Sequence, residues 1–341
     1  MSHNAVAQST GHGTVGTLRY MDPVVQSSLY RNGKVLTRRD PDGSDAGREG
    51  IVILPCEVNV QDGRERAHAP YCTLAKNGSE LLSSPLADPA LDFLDHQQVV
   101  SHYYEDCARL VAAFTGAHAF AFDHNVRSAL GKESGQRIKD GQQVQGPAQV
   151  VHGDYTLTSA PQRLRDLTRP PGGNDTFREV LGDKSSRIAP ELAAAALAPG
   201  GRFAIINVWR NIAAEPVATY PLGLCDGQTV LPEDLVVFEI HYQDRIGENY
   251  FARPSARHRW YYYPAMTRDE ALLIKQWDSA GALARTGGRE GDATDNDAPC
   301  TFSFHSAFED PATPPDAPDR LSIEVRCMVV YTGTTSSGRL S

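Results

Sequence analysis

A His-x-Asp step, His152-Gly153-Asp154, lies near the middle of this chain, and His305 lies far downstream in the run Phe302-Ser303-Phe304-His305-Ser306. Two histidines and one carboxylate occupy one face of a metal ion and leave the other positions open, the donor set of non-haem Fe(II) oxygenases. For these three residues to meet, strands remote in sequence must become neighbours. Barrels and jelly rolls do this and up-and-down hairpins do not.

The rest of the chain agrees. Its second half is a series of short β-branched or aromatic runs between turn signals: Phe203–Arg210, Leu235–Tyr242, Trp260–Pro264, Cys300–Phe308 and Leu321–Tyr331. Glu270–Asp278 reads as strand or helix. Ile51–Val60 and the stretch around Leu18–Tyr20 read as strands, and so does Gln149–Thr158, which holds the His-x-Asp. There, residues two apart share a side. Leu91–Phe114 has helical spacing, and Asp175–Leu197 is expected to be helical with a break near Pro190. Ile138–Gly146 and Gly281–Pro299 read as loops, the latter with almost no large apolar residue. Segments 131–146 and 281–299 are expected to be mobile, with at least one ordering over substrate. The expected class is mainly β with flanking helices, built on one barrel or jelly roll. Residues 1–15 are expected to be a disordered tail, and 16–341 a single domain.

With 33 Lys+Arg against 42 Asp+Glu, the net charge is −9. That disfavours a phosphate backbone as partner. No run is apolar enough to span a bilayer and no secretory leader is apparent, so a cytoplasmic location is expected. The six cysteines are scattered singly and read as buried free thiols. The expected partner is a small-molecule substrate, not nucleic acid or membrane, with a homodimer left open.

The bland alternative is that His152 and His305 are hydrogen-bonded core histidines and Asp154 a turn residue. Arg320-Leu321-Ser322 weighs against it. A planar cation and a hydroxyl two residues on along a strand would together hold the far carboxylate of 2-oxoglutarate. Arg326 has the same strand parity and is a second candidate.

Six blocks then occur in order: His124-Asn125-Val126-Arg127, Val151 to Thr156, Asn207-Val208-Trp209-Arg210, Pro221 to Asp226, Asp269 to Lys275 with Asp278-Ser279, and His305 to Pro311. Together they resemble the AsaB-like hydroxylases and desaturases, a family that includes the CmcJ-like cephalosporin hydroxylase, over about residues 50 to 331. The resemblance implies a double-stranded β-helix (jelly-roll, cupin-like) core. It implies Fe(II), 2-oxoglutarate and O2 as cofactors, and His152, Asp154 and His305 as metal-binding catalytic residues. It implies Arg320 and Ser322 as the 2-oxoglutarate clamp, with Arg326 or Lys275 as alternatives. Arg210 and Lys275 are expected to point into the pocket, since buried cations need a task or a partner. Trp209 and Tyr155 could line it, and His124 and Arg127 could touch substrate; each could equally pack or brace the sheet.

The function expected is a dioxygenase of secondary metabolism that hydroxylates, desaturates or cyclises a small natural-product or amino-acid-like molecule. The cations beside Trp209 and Trp260–Tyr263 suggest an anionic or carbonyl handle on it. The rival readings are a ligand-binding barrel without oxidation and a hydrolase or isomerase on the same scaffold.

Overall fold

Strands whose residues alternate apolar and polar cover one side of a core, and strands that are apolar throughout are buried on both sides. This protein uses both kinds. A computed structural model describes residues 13–39, 45–65, 72–173, 175–181, 185–242 and 245–332. In chain order the strands are β1 (Gly13–Met21), β2 (Leu36–Arg39), β3 (Asp45–Glu49), β4 (Ile53–Asp62), β5 (Ser79–Ser83), β6 (His118–Arg127), β7 (His152–Gly153), β8 (Arg202–Asn211), β9 (Leu222–Cys225), β10 (Leu235–His241), β11 (Ile246–Ala252), β12 (Trp260–Tyr262), β13 (Glu270–Asp278), β14 (His305–Ala307) and β15 (Ser322–Tyr331).

They form two sheets. The larger has ten strands in the order β1-β4-β12-β9-β14-β7-β11-β10-β2-β3, and the smaller has five in the order β5-β13-β8-β15-β6. Nearly every residue of β8 and β15 is buried. One face of their sheet carries the helices Tyr104–Thr115 and Pro190–Leu197. The other face looks at the ten-stranded sheet, which it reaches through side chains such as Asn207, Gln276 and Arg326. Mainly β with flanking helices is therefore the observed class.

The helix expected over Leu91–Phe114 begins only at His96, after Asp95 caps it by accepting from Gln98 N–H. It then widens into a π-turn, Val99–Tyr103, before Tyr104–Thr115. Successive residues of a regular helix point about 100° apart, and the wide turn relaxes that spacing. Here Tyr103 and Tyr104 are both buried, and each reaches a different strand. Gly116 ends the helix at φ 66°, a left-handed C-cap that glycine adopts without strain.

Several expected boundaries shift. Of the expected tail, residues 1–12 lie outside the described residues, and Gly13, Thr14 and Val15 already belong to β1. Glu270–Asp278 is strand, not helix. Gln149–Thr158 shrinks to the two residues of β7, and Cys300–Phe308 to the three of β14. Between 175 and 197 the helices are Arg178–Leu181 and Pro190–Leu197. Gly281–Pro299 contains the helix Ala282–Thr286, held because buried Asp292 accepts from Leu283 N–H and from the Thr301 hydroxyl and N–H. In 131–146, Ile138 and Val144 are buried and anchor the segment.

Candidate active site

β14 and β7 pair antiparallel with His305 directly opposite His152, which brings the two rings to 4.3 Å between centroids. Asp154 follows β7, and its N–H donates to Gln276 Oε1 at 3.0 Å instead of to a strand neighbour. The chain turns there. Asp154 Oδ1 comes to lie 3.6 Å from His152 Nε2 and 4.0 Å from His305 Nε2. One ligand atom from each of the three lies within 4.8 Å of the others, and all three residues are buried.

The remaining polar atoms of the triad are occupied. His152 Nδ1 donates to the Val150 carbonyl at 2.7 Å, so its Nε2 carries the free lone pair. At His305 the Gln276 amide nitrogen lies 3.4 Å from Nδ1. Asp154 Oδ2 accepts from Asn207 Nδ2 and Arg326 Nε, each at 3.0 Å. Two Nε2 atoms and one carboxylate oxygen are left facing one another.

Burial, and His305 beside it, push His152 down to about 4, and burial lowers His305 as well. Burial opposes ionisation of Asp154, but Arg326 and the two imidazoles outweigh it and hold the carboxyl well below the usual range. Neutral imidazoles and an ionised carboxylate are the states that bind a metal. The donor set and its open side fit Fe(II).

A second feature lies on β15 and just before it. Arg320 Nε and Ser322 Oγ are buried with no hydrogen-bond partner. Such orphans are rare in a folded protein and call for a missing partner. One Nη of Arg320 donates to the Tyr220 carbonyl, and its guanidinium sits 5.7 Å above the Trp209 ring. Burial, with Arg127 nearby, lowers Arg320 to about 9. An anion at this place would relieve both effects.

The other expected site residues divide. Arg326 is fully engaged: besides Asp154 it donates to Asp123 at 2.9 Å and Asn125 at 2.8 Å, and Glu324 is 3.4 Å away. Lys275 pairs with Asp278 at 3.2 Å and donates to the Ala75 and Cys300 carbonyls. Arg210 points to the helix layer, where it donates to Tyr103 Oη and to the Ser84 and Arg268 carbonyls. The expectation that Arg210 and Lys275 enter the pocket is corrected: the donors of Arg210 are used by neutral acceptors on the helix side, and the charge of Lys275 by Asp278. Trp209, one residue before Arg210, faces the opposite way, into an apolar cluster with Leu224, Tyr263, Met266, Leu272 and Ile274. His124 also faces the helices: its Nδ1 is 2.8 Å from Tyr104 Oη, and its ring stacks on His96. It lies behind the sheet, away from the triad. Arg127 is half-buried near Glu324 and Asp154 and donates to the Gly146 carbonyl. Tyr155 packs against the core beside Asp154.

Three contributors were not proposed for the site from the sequence, Gln276, Asp123 and Glu324, and Asn207 entered only as part of a motif block. A polar residue continuing the Leu272-x-Ile274-x series could have flagged Gln276, since it falls on the apolar face of β13.

A family model described as an oxidoreductase/YMDC permease-like domain matches residues 18–330. An uncharacterised protein from the dcmA 3′ region of Methylophilus leisingeri is 43% identical over 196 residues, covering 57% of this chain and 89% of that protein. The Fe(II)/2-oxoglutarate-dependent dioxygenase NvfI of Aspergillus novofumigatus is 31% identical over 238 residues, covering 69% of this chain and 68% of that one. The solved structure of the iron and alpha-ketoglutarate-dependent endoperoxidase NvfI superposes with a TM-score of 0.67 at 25% identity, covering 93% of this chain and 98% of that one. With its buried two-histidine, one-carboxylate centre, the chain belongs to this oxidoreductase family and is an Fe(II)- and 2-oxoglutarate-dependent dioxygenase.

Proposed function

We propose that His152 Nε2, Asp154 Oδ1 and His305 Nε2 hold the iron, and that Arg320 with Ser322 holds the far carboxylate of 2-oxoglutarate. The observation that carries the second half is the pair of unpartnered buried donors, Arg320 Nε and Ser322 Oγ. When bound, Fe(II) and 2-oxoglutarate supply the activation of O2 that removes a hydrogen atom from the substrate. The protein does the rest. Asn207 and Arg326 keep Asp154 turned to one oxygen, the Val150 carbonyl fixes the His152 tautomer, and the apolar cluster around Trp209 excludes water. The two-sheet core is read as a double-stranded β-helix, and the ordered sequence blocks support the AsaB-like, CmcJ-like hydroxylase and desaturase branch.

The substrate is a small natural product oxidised by hydroxylation, desaturation or ring closure. A relative named as an endoperoxidase supports the last of these. Charge narrows the choice. Arg127, Arg320 and Arg326 gather with Asp123, Asp154, Asp319 and Glu324 around the centre, so this cluster offers no surplus of positive charge. A dication and the 2-oxoglutarate dianion together add no net charge, so an anionic substrate would be buried uncompensated. The cations that suggested an anionic handle, Arg210 and Lys275, are committed elsewhere. A neutral, oxygenated apolar molecule fits this lining.

The test is anaerobic titration of Fe(II)-loaded protein with 2-oxoglutarate, read by its visible charge-transfer band. Arg320→Ala should weaken 2-oxoglutarate binding while leaving iron content unchanged. Arg326→Ala should lower iron content. The reverse pattern would move the clamp to Arg326.

A further inference from the structure

Tyr20 on β1, Trp260 on β12, His258 and Asp234 form a buried group that the dioxygenase reaction does not use. An indole N–H can only donate, and Trp260 Nε1 donates to Tyr20 Oη at 2.8 Å. Tyr20 therefore directs its own proton to His258 Nδ1, 3.2 Å away. His258, accepting there, carries its proton on Nε2 and donates it to Asp234 Oδ2 at 3.3 Å. Asp234 also accepts from Leu231 N–H at 2.9 Å and from Arg257 at 3.0 Å, so it remains a carboxylate. With His258 neutral, the bonds run in one direction from Trp260 through Tyr20 and His258 to Asp234.

A buried phenol that loses an electron must lose its proton at the same moment or leave an uncompensated cation in a poor solvent for charge. Tyr20 has an acceptor for that proton, and Asp234 stands ready to stabilise the resulting imidazolium. The other tyrosines near the site lack this arrangement. Tyr104 meets His124, but that imidazole stacks on His96 and has no hydrogen-bonded carboxylate among the described residues. Tyr155, next to Asp154 in sequence, has no hydrogen bond to its hydroxyl among them. A path to the metal centre also exists: the His258 ring meets Phe304 edge-on at 6.0 Å between centroids, and Phe304 immediately precedes His305.

We propose that Tyr20 is a redox-active residue that discharges the metal centre when O2 is consumed with no substrate in place. The proposal rests on the dioxygenase assignment. With no substrate, two oxidising equivalents remain after 2-oxoglutarate has been spent; Tyr20 supplies one electron towards them, and a second donation after Tyr20 is re-reduced supplies the other. The phenolic O–H bond breaks and an Nδ1–H bond forms on His258. The products are a neutral tyrosyl radical and an imidazolium held against Asp234. One electron from a small reductant such as ascorbate, with the proton returned from His258, restores Tyr20.

The experiment has two arms. In the first, protein loaded with Fe(II) and 2-oxoglutarate is exposed to O2 without substrate, frozen at intervals and examined by electron paramagnetic resonance. In the second, metal-free protein is oxidised by a ruthenium photo-oxidant and examined in the same way. Both should give a neutral tyrosyl signal that Tyr20→Phe abolishes. Tyr20→Phe also strips Trp260 of its acceptor, so His258→Gln is the second variant. It keeps Tyr20, removes the proton acceptor and should likewise cut the signal. Succinate release measured alongside reports the dioxygenase assignment independently, and the metal-free arm stands even if that release is absent. A signal of unchanged size in both variants, or no tyrosyl signal in either arm, overturns the proposal.

Discussion

Both faces of the five-stranded sheet bury arginine, and they use it in opposite ways. On the helix side, Arg210 spends its donors on Tyr103, Ser84 and Arg268. It is a strut with nothing left to offer. On the side facing the other sheet, Arg320 is as deeply buried yet keeps its Nε without a partner, next to the equally unpartnered Ser322 hydroxyl. A buried cation in a sequence therefore says little about a binding site. What marks the site is that two buried donors two residues apart, Arg320 Nε and Ser322 Oγ, are left unsatisfied together, whereas the orphaned Nε atoms of Arg253 and Arg268 stand singly.

Four measurements break or sharpen that contrast. The largest effect is expected at the centre beyond Arg320. His305→Ala or His152→Ala should abolish iron-dependent succinate release and iron retention, with the far-ultraviolet spectrum of the fold preserved; full activity in either variant removes the triad from its role. Next comes the clamp. Losing a charge-assisted pair in a buried pocket costs about 2–5 kcal/mol, so Arg320→Ala should raise the 2-oxoglutarate requirement by at least roughly tenfold. An unchanged requirement would mean that the orphaned donors serve no anion.

The strut should behave in the converse way. Arg210→Met leaves several buried acceptors bare and should cost about 2–4 kcal/mol in denaturant unfolding, while the 2-oxoglutarate requirement stays put. A shifted requirement would erase the distinction between the faces. The smallest effect concerns His124, also on the helix side. Burial lowers it from 6.5 to about 4. Between those values the unfolded chain binds the extra proton and the folded one does not, so stability falls as pH falls. This residue should contribute at most about 1.4 kcal/mol per pH unit. Urea unfolding from neutral to acid pH should show a shallower decline in His124→Asn, and parallel curves would place the acid sensitivity elsewhere.

Much of the architecture could be read from the sequence because burial writes itself into composition. β8 and β15 are buried on both sides, and β13 kept its expected limits. The short strands were harder. β7 and β14 are two and three residues long, below the length at which periodicity means anything, although they carry both histidines. What identified those residues was donor chemistry. The misplaced residues share one cause: Trp209 and Arg210 are adjacent on a strand and so face opposite layers. Nothing in an unaligned sequence says which parity faces the metal. Gln276 had a signal, its place on the apolar face of β13, but not one that pointed to the metal.

The charge balance around the centre has a consequence for the order of assembly. In the metal-free chain three arginines stand among the carboxylates of Asp123, Asp154, Asp319 and Glu324, so the cluster is close to charge balance. Entry of a dication alone unbalances it by two, and a dianion alone unbalances it in the opposite sense. Each ligand thus cancels the penalty that the other creates, and linkage requires the benefit to be mutual and equal: whatever factor iron adds to the affinity for 2-oxoglutarate, 2-oxoglutarate returns to iron. The cell's supply of the organic acid then sets how tightly this protein keeps its metal.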